Sequence, residues 1–111
     1  MSHSKSLVID FGAIEGPVFT GRQRGESLRT KYKLEEMDAL QAIVTVRIPD
    51  STYSISSSFF LGLFGKSVVS AGNWNAFFGR HLFEANDMFK KIIEGYVTRA
   101  LQEKQLFDPK K

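Results

Sequence analysis

Residues 42–48, Ala42-Ile43-Val44-Thr45-Val46-Arg47-Ile48, lead into Pro49-Asp50-Ser51. A short polar stretch then precedes Phe59-Phe60-Leu61-Gly62-Leu63-Phe64-Gly65. Ala42, Val44, Val46 and Ile48 make an unbroken apolar face at a period of two, while Ile43, Thr45 and Arg47 make a mixed one. That is the pattern of a central strand. Pro49 ends it, because proline has no amide to continue a ladder. The second run has no polar face, so it reads as a mostly buried helix reaching about Ala71, with Gly72 as its C-terminal cap.

Outward from this passage, residues 6–11 read as a strand with Leu7, Ile9 and Phe11 on one face. Gly12 to Gly16 is a turn, and Pro17 to Phe19 a second short strand antiparallel to the first. Thr20 and Gln23 have capping-box spacing and start a helix. Gly21, Gly25, Leu28 and Tyr32 share one stripe of it, so the two glycines are expected to bring the helix backbone close to the sheet. Residues 73–79 carry no clear pattern. Arg80 to Glu84 is a short strand. Asn86 and Asp87 cap a last helix whose buried stripe is Phe89, Ile92, Ile93, Tyr96 and Ala100. The order strand, strand, helix, strand, helix, strand, helix predicts a single small α/β domain over residues 6–104. It should hold a four-stranded mixed sheet with three main helices. Residues 1–5 and 105–111 read as flexible extensions.

A chain of 111 residues with 42% hydrophobic residues supports one core and excludes wholesale disorder. The absence of cysteine excludes a disulfide framework, a thiolate metal site and a cysteine nucleophile. No apolar run approaches the roughly 18–20 residues of a membrane span, and Met1 to Ser6 lacks the apolar centre of a signal peptide. A cytoplasmic protein is expected. The net charge is +3. Arg22, Arg24, Arg29, Lys31 and Lys33 are the one basic cluster, opposed by Glu26. They fall on both flanks of the apolar stripe, as the solvated side of a helix does, so no strong nucleic-acid binding is expected.

Gly62-Leu63-Phe64-Gly65-Lys66-Ser67 invites comparison with a phosphate-binding loop. That loop needs a glycine where this chain has Phe60, and it does not lie inside an apolar helix. His81 in a strand reads as a packed or surface residue, and no partner is fixed for it by Asp10 or any serine. Glu35, Glu36 and Asp38 lack a second ligand group. No catalytic residue, metal or cofactor is assigned.

Ser56-Ser57-Ser58 is more informative. One serine is expected as the N-terminal cap of the following helix, worth about 1 kcal/mol against alanine. A helix start also carries free amides and a positive dipole end, which favour an anion.

The passage from Ala42 to Gly65 resembles the centre of STAS domains, the fold of bacterial anti-sigma-factor antagonists. It is more similar still to a STAS-like family of unknown function. Gly21-Arg22 to Arg29 resembles the family's Gly-Arg helix, Ile55 to Gly65 its Ile-Ser-x-Ser-Phe-like helix start, and Leu82-Phe83-Glu84-Ala85-Asn86 its last strand and helix junction. The resemblance implies a non-enzymatic regulatory interaction module with a protein partner, such as a histidine-kinase-like ATPase or an anti-sigma-type kinase. In the antagonists the loop reads Asp-Ser-Ser-Gly and its second serine is phosphorylated. Ser58 then becomes the candidate phosphoacceptor, with Ser57 and Ser56 as alternatives. Ser56, Ser57, Ser58, Phe59 and Phe60 become candidate partner contacts. The motif's Asp is Ser56 here and its Gly is Phe59. Two alternatives stay open, a structural or assembly subunit and a small-ligand-binding module. Trp74, Phe77 and Phe78 are candidate exposed aromatics for the first, and a homodimer is compatible with either.

Overall fold

The computed structural model describes residues 6–107, with side chains through Glu103. The strands are β1 (Ser6–Asp10), β2 (Val18–Phe19), β3 (Ile43–Arg47), β4 (Ser54–Ile55) and β5 (His81–Glu84). The helices are α1 (Arg22–Lys31), α2 (Leu34–Ala39), α3 (Ser57–Ala71), α4 (Trp74–Arg80) and α5 (Asp87–Phe107). β3 is central, between β1 and β5, and all three run parallel. β2 and β4 form a separate two-residue parallel pair.

The α/β class and the central place of residues 43–47 agree with the sequence reading. The four-stranded mixed sheet does not, because Val18–Phe19 pairs with Ser54–Ile55 and leaves β1 unaccompanied on its outer edge. The physical reason lies at Phe11. Asp10 accepts a hydrogen bond from the Gly12 amide (2.8 Å) and closes a 3-10 turn over Phe11–Ala13. Phe11 then drops into the core against Phe19 and Phe59. The chain leaves the sheet there and cannot return as a hairpin.

Five helices replace the three expected. Lys33 in the left-handed conformation separates α1 from α2, and α2 buries Leu34. Asn73 caps α4 by accepting from the Ala76 amide (2.8 Å). The cap of α1 is Gly21, not Thr20, and its φ of 93° is a conformation that glycine adopts without strain. α3 ends on Gly72 as expected, also with positive φ. α5 runs through Phe107, three residues into the stretch assigned to the tail. The extensions 1–5 and 108–111 lie outside the described residues.

Strand register separates two sheet faces. Leu7, Val44 and His81 form one inward row, and Ile9, Val46 and Phe83 the next. α3 lies in the centre of the helical layer and packs against both α1 and α5. Both crossovers, β1 to β3 and β3 to β5, step the same way across the sheet. Right-handed crossovers that step the same way put their helices on the same face. No described helix is long and apolar enough to cross a membrane.

Candidate functional site at the start of helix α3

In parallel α/β sheets the carboxyl ends of the strands gather the loops that carry function. Here that edge brings together the turn after β1, Pro49-Asp50 after β3, and Asn86 after β5. A Cβ on Gly12 would lie 3.6 Å from Pro49, and Asn86 donates to Asp50 across 3.2 Å. The first turn of α3 belongs to the same edge, because its Phe59 ring meets that of Phe11, the residue directly after β1 (centroids 6.0 Å).

Ser56 is the cap. Its hydroxyl accepts from the Phe59 amide (3.1 Å) and lies 3.2 Å from the Ser58 hydroxyl. Ser57 and Ser58 are the first two helical residues, and all three serines are half-buried. The exposed ring of Tyr53 precedes β4, and the Tyr96 hydroxyl donates to the Ile55 carbonyl (2.7 Å). Phe59 and Phe60, read from the sequence as candidate partner contacts, are 0% and 3% exposed. The helical period turns both into the core, where Phe59 meets Phe11 and Phe19, and Phe60 meets Phe64 and Tyr96. They support the serines from beneath and offer no free surface. Of the three aromatics named in the 74–78 segment, Trp74 is exposed, Phe78 half-buried and Phe77 fully buried.

The basic cluster does not stay together in space. Arg29, expected on the solvated side, is buried. It donates to Asp38 (2.8 Å), to the Ser67 hydroxyl (2.9 Å) and to the Leu63 carbonyl (3.0 Å). Arg80 approaches the other oxygen of Asp38 at 3.0 Å, and Ser67 donates to Asp38 at 2.6 Å. One carboxylate thus joins α1, α3 and α4 to α2. Burial alone would raise the Asp38 pKa. The hydrogen bonds from Ser67, Arg29 and Arg80 outweigh it and hold the carboxyl below its usual range. Arg24 lies over the Phe19 ring and donates to the carbonyls of Val18 and Glu15, which clamps the turn before α1. Arg22, Lys31 and Lys33 remain exposed.

The resemblance of Gly62–Ser67 to a phosphate loop ends in this geometry. The segment is helical, Lys66 faces solvent, and Ser67 is sealed in the Asp38 network. His81 is fully buried, stacked on Phe77 with ring centroids 4.1 Å apart, and its Nδ1 pairs with the Phe77 carbonyl (2.9 Å). Burial pushes its pKa down to about 4, so it is neutral at pH 7. An open groove of about 1300 Å³ runs over α3 between α1 and α5. Leu61, Gly65 and Val69 floor it, and Arg22, Lys33 and Glu103 lie among its rims.

A scan against protein-family models, a search of curated proteins and a search of solved structures each found no match to this chain.

Proposed function

We propose that the chain is a non-enzymatic, STAS-like interaction module that meets a protein partner at the start of α3 and is regulated there by phosphorylation of Ser58. The observation that carries this reading is the position of Ser58. It is the second residue of a fifteen-residue helix, half-buried, at the carboxyl edge of the parallel sheet. The resemblance of Ala42 to Gly65 to the antagonists' central passage supports it. So does the chemistry of the turn: Ser56 satisfies the Phe59 amide, and the amides of Ser57 and Ser58 precede the first intrahelical bond. A phosphate on Ser58 would add about 1.5 to 2 negative charges beside those donors and the positive end of the helix. Contact with the partner falls on Ser57, Ser58 and Tyr53. The partner class that fits is a kinase domain of the histidine-kinase-like ATPase type.

Affinity purification from the source cell, followed by mass spectrometry, identifies the partner and any modified serine. Ser58→Asp is then expected to weaken binding to that partner at least about tenfold, or about 1.4 kcal/mol. Ser58→Ala is expected to bind as the parent does. Unchanged binding by Ser58→Asp overturns the switch. An assembly subunit without a phosphoswitch is then the better reading, since capping by Ser56 and burial of Phe59 and Phe60 are fully explained by folding.

A further inference from the structure

Strand β5 lies at an edge of the parallel sheet, and its pairing with β3 decides which of its backbone groups are left over. The Ile48 amide bonds to the Glu84 carbonyl (2.9 Å), so Glu84, and Leu82 two residues before it, turn their amides and carbonyls toward β3. Phe83, between them, turns both outward. The His81 amide is taken by the Phe77 carbonyl. Among the described residues no backbone group bonds to the outward amide and carbonyl of Phe83. A cavity of about 270 Å³ opens beside them, where β5, α4 and α5 meet. Phe78, Phe83 and Ile93 give it apolar walls, and the exposed Lys90 and Glu94, one helical turn apart, complete its α5 side.

We propose that this edge receives an extended segment of a partner protein as an added antiparallel strand, with one large apolar side chain seated in the cavity, independently of any switch at Ser58. Extended backbone carries the donor and the acceptor that the outward carbonyl and amide of Phe83 need, and a pocket beside a strand edge selects the side chain. In antiparallel pairing a single residue opposite Phe83 takes both of its groups. The side chain of that residue falls on the same face as the Phe83 ring, which lies 5.9 Å from that of Phe78 and toward the buried Ile93. The residues before and after it turn to the other face, where Leu82 is exposed, so an apolar flank is favoured there.

Other occupants fit less well. The cavity falls below the about 300 to 1,000 Å³ of small-molecule sites, which suits one side chain better than a cofactor. A second copy pairing through its own β5 would set Phe83 opposite Phe83. That ring already packs against Phe60, Phe64, Phe77 and Phe78 in its own core, so it cannot enter the cavity of the other copy. Residues 1–5 adjoin β1, on the far side of β3. One short strand with one anchor buries little surface, so the contact belongs to the transient class, held by its backbone bonds and its anchor.

The test adds blocked heptapeptides of the form Lys-Thr-Val-X-Val-Thr-Lys, with X leucine, methionine or phenylalanine, to the isotope-labelled full chain and follows its amides by NMR. For at least one X, saturable shifts are expected at Leu82, Phe83 and Glu84 and along Lys90 to Glu94. Exchange of the Phe83 amide with solvent should slow at least about tenfold, as for a strand amide that gains a partner. Replacing the best X by alanine, or N-methylating its amide, is expected to weaken binding at least about tenfold. Absence of binding by all three peptides overturns the proposal. So do shifts centred on β1 or on the groove over α3, and so does equal binding by the N-methylated peptide. A dimer of the free chain in sedimentation whose dissociation on dilution shifts the same β5 amides overturns it too, in favour of a second copy.

Discussion

Gly25 of α1 and Gly62 of α3 stand against each other where the two helices cross. A Cβ on Gly25 would collide with the Phe59 carbonyl oxygen and lie 2.8 Å from the Leu63 amide nitrogen. A Cβ on Gly62 would collide with the Arg22 carbonyl oxygen and lie 3.1 Å from the Glu26 nitrogen. The obstacles are backbone on both sides, so neither can rotate away and the helices must part. Gly25→Ala and Gly62→Ala are each expected to destabilise by about 1 to 3 kcal/mol. The double variant should cost less than the sum, because one separation accommodates both methyls. Gly65→Ala is the control. Its Cβ would meet only the Leu61 side chain, at 3.6 Å, and the gain in helix propensity should stabilise by up to about 1 kcal/mol. Urea melts of the four variants check this.

How far the residues announced this crossing depends on what a periodicity can carry. The stripe through Gly25 and Leu28 was legible, and so was the need for a close backbone neighbour. Its identity was not: the glycine faces helix α3 and not the sheet, and Gly21 is a cap with open space around it. A pattern reports which face is buried, not which element buries it. The same stripe, read at steps of three and four, already includes Arg29 beside Leu28. On α3, Ser67 follows Leu63 by four, which marks it as a polar group on a buried face. Those two signals point to a buried polar network. Asp38 and Arg80 complete it from 42 residues apart in sequence, a pairing that no local pattern encodes. The serine cap of α3 was legible because a cap is a local event. Phe59 and Phe60 came in as partner contacts with the resemblance, whereas the unbroken apolar run already read as a mostly buried helix, and burial of both rings agrees with the run.

Asp38→Asn is expected to destabilise by about 3 to 5 kcal/mol. It removes the carboxylate that two arginines, with side chains 7% and 17% exposed, share in the protein interior. Arg29→Met should cost less, because it leaves Asp38 paired with Arg80 and Ser67 and keeps an apolar chain of similar length. Guanidinium melts that ranked the two in the reverse order would show that the packing of Arg29, not the charge balance, holds these helices together.

His81 makes stability fall with acid. Its folded pKa of about 4 lies below the ordinary 6.5. Between those values the unfolded chain binds the proton that the folded one refuses, so unfolding becomes easier as pH drops. The contribution is complete above pH 6.5 and lost progressively down to about pH 4, an effect on the order of 3 kcal/mol. Asp38 adds to the loss at lower pH, as its depressed carboxyl takes up a proton. Melting temperature against pH should show this slope, and His81→Phe should flatten it between pH 6.5 and 4. An NMR titration placing the His81 pKa near 6.5 would remove the basis for the effect.

Ser56 and Ser58 lie 3.2 Å apart and should separate cleanly by substitution. Ser56→Ala removes the acceptor for the Phe59 amide at the start of the central helix, so a loss of about 1 kcal/mol is expected. Ser58→Ala leaves that bond in place and should change stability by less than about 0.5 kcal/mol. Ser58→Asp puts a negative charge in the first turn, where the helix dipole favours it by about 0.3 to 1 kcal/mol. The half-buried position of Ser58 limits that gain, so its melt should match or slightly exceed the parent's. The order expected in urea is therefore Ser58→Asp at or above parent, Ser58→Ala beside it, and Ser56→Ala below both. This order also makes Ser58→Asp a valid probe of partner binding, because any affinity it loses cannot be charged to folding. A Ser58→Asp protein less stable than Ser56→Ala would mean that the Ser58 side chain has no room for an added charge, and the case for phosphorylation at this serine would go with it.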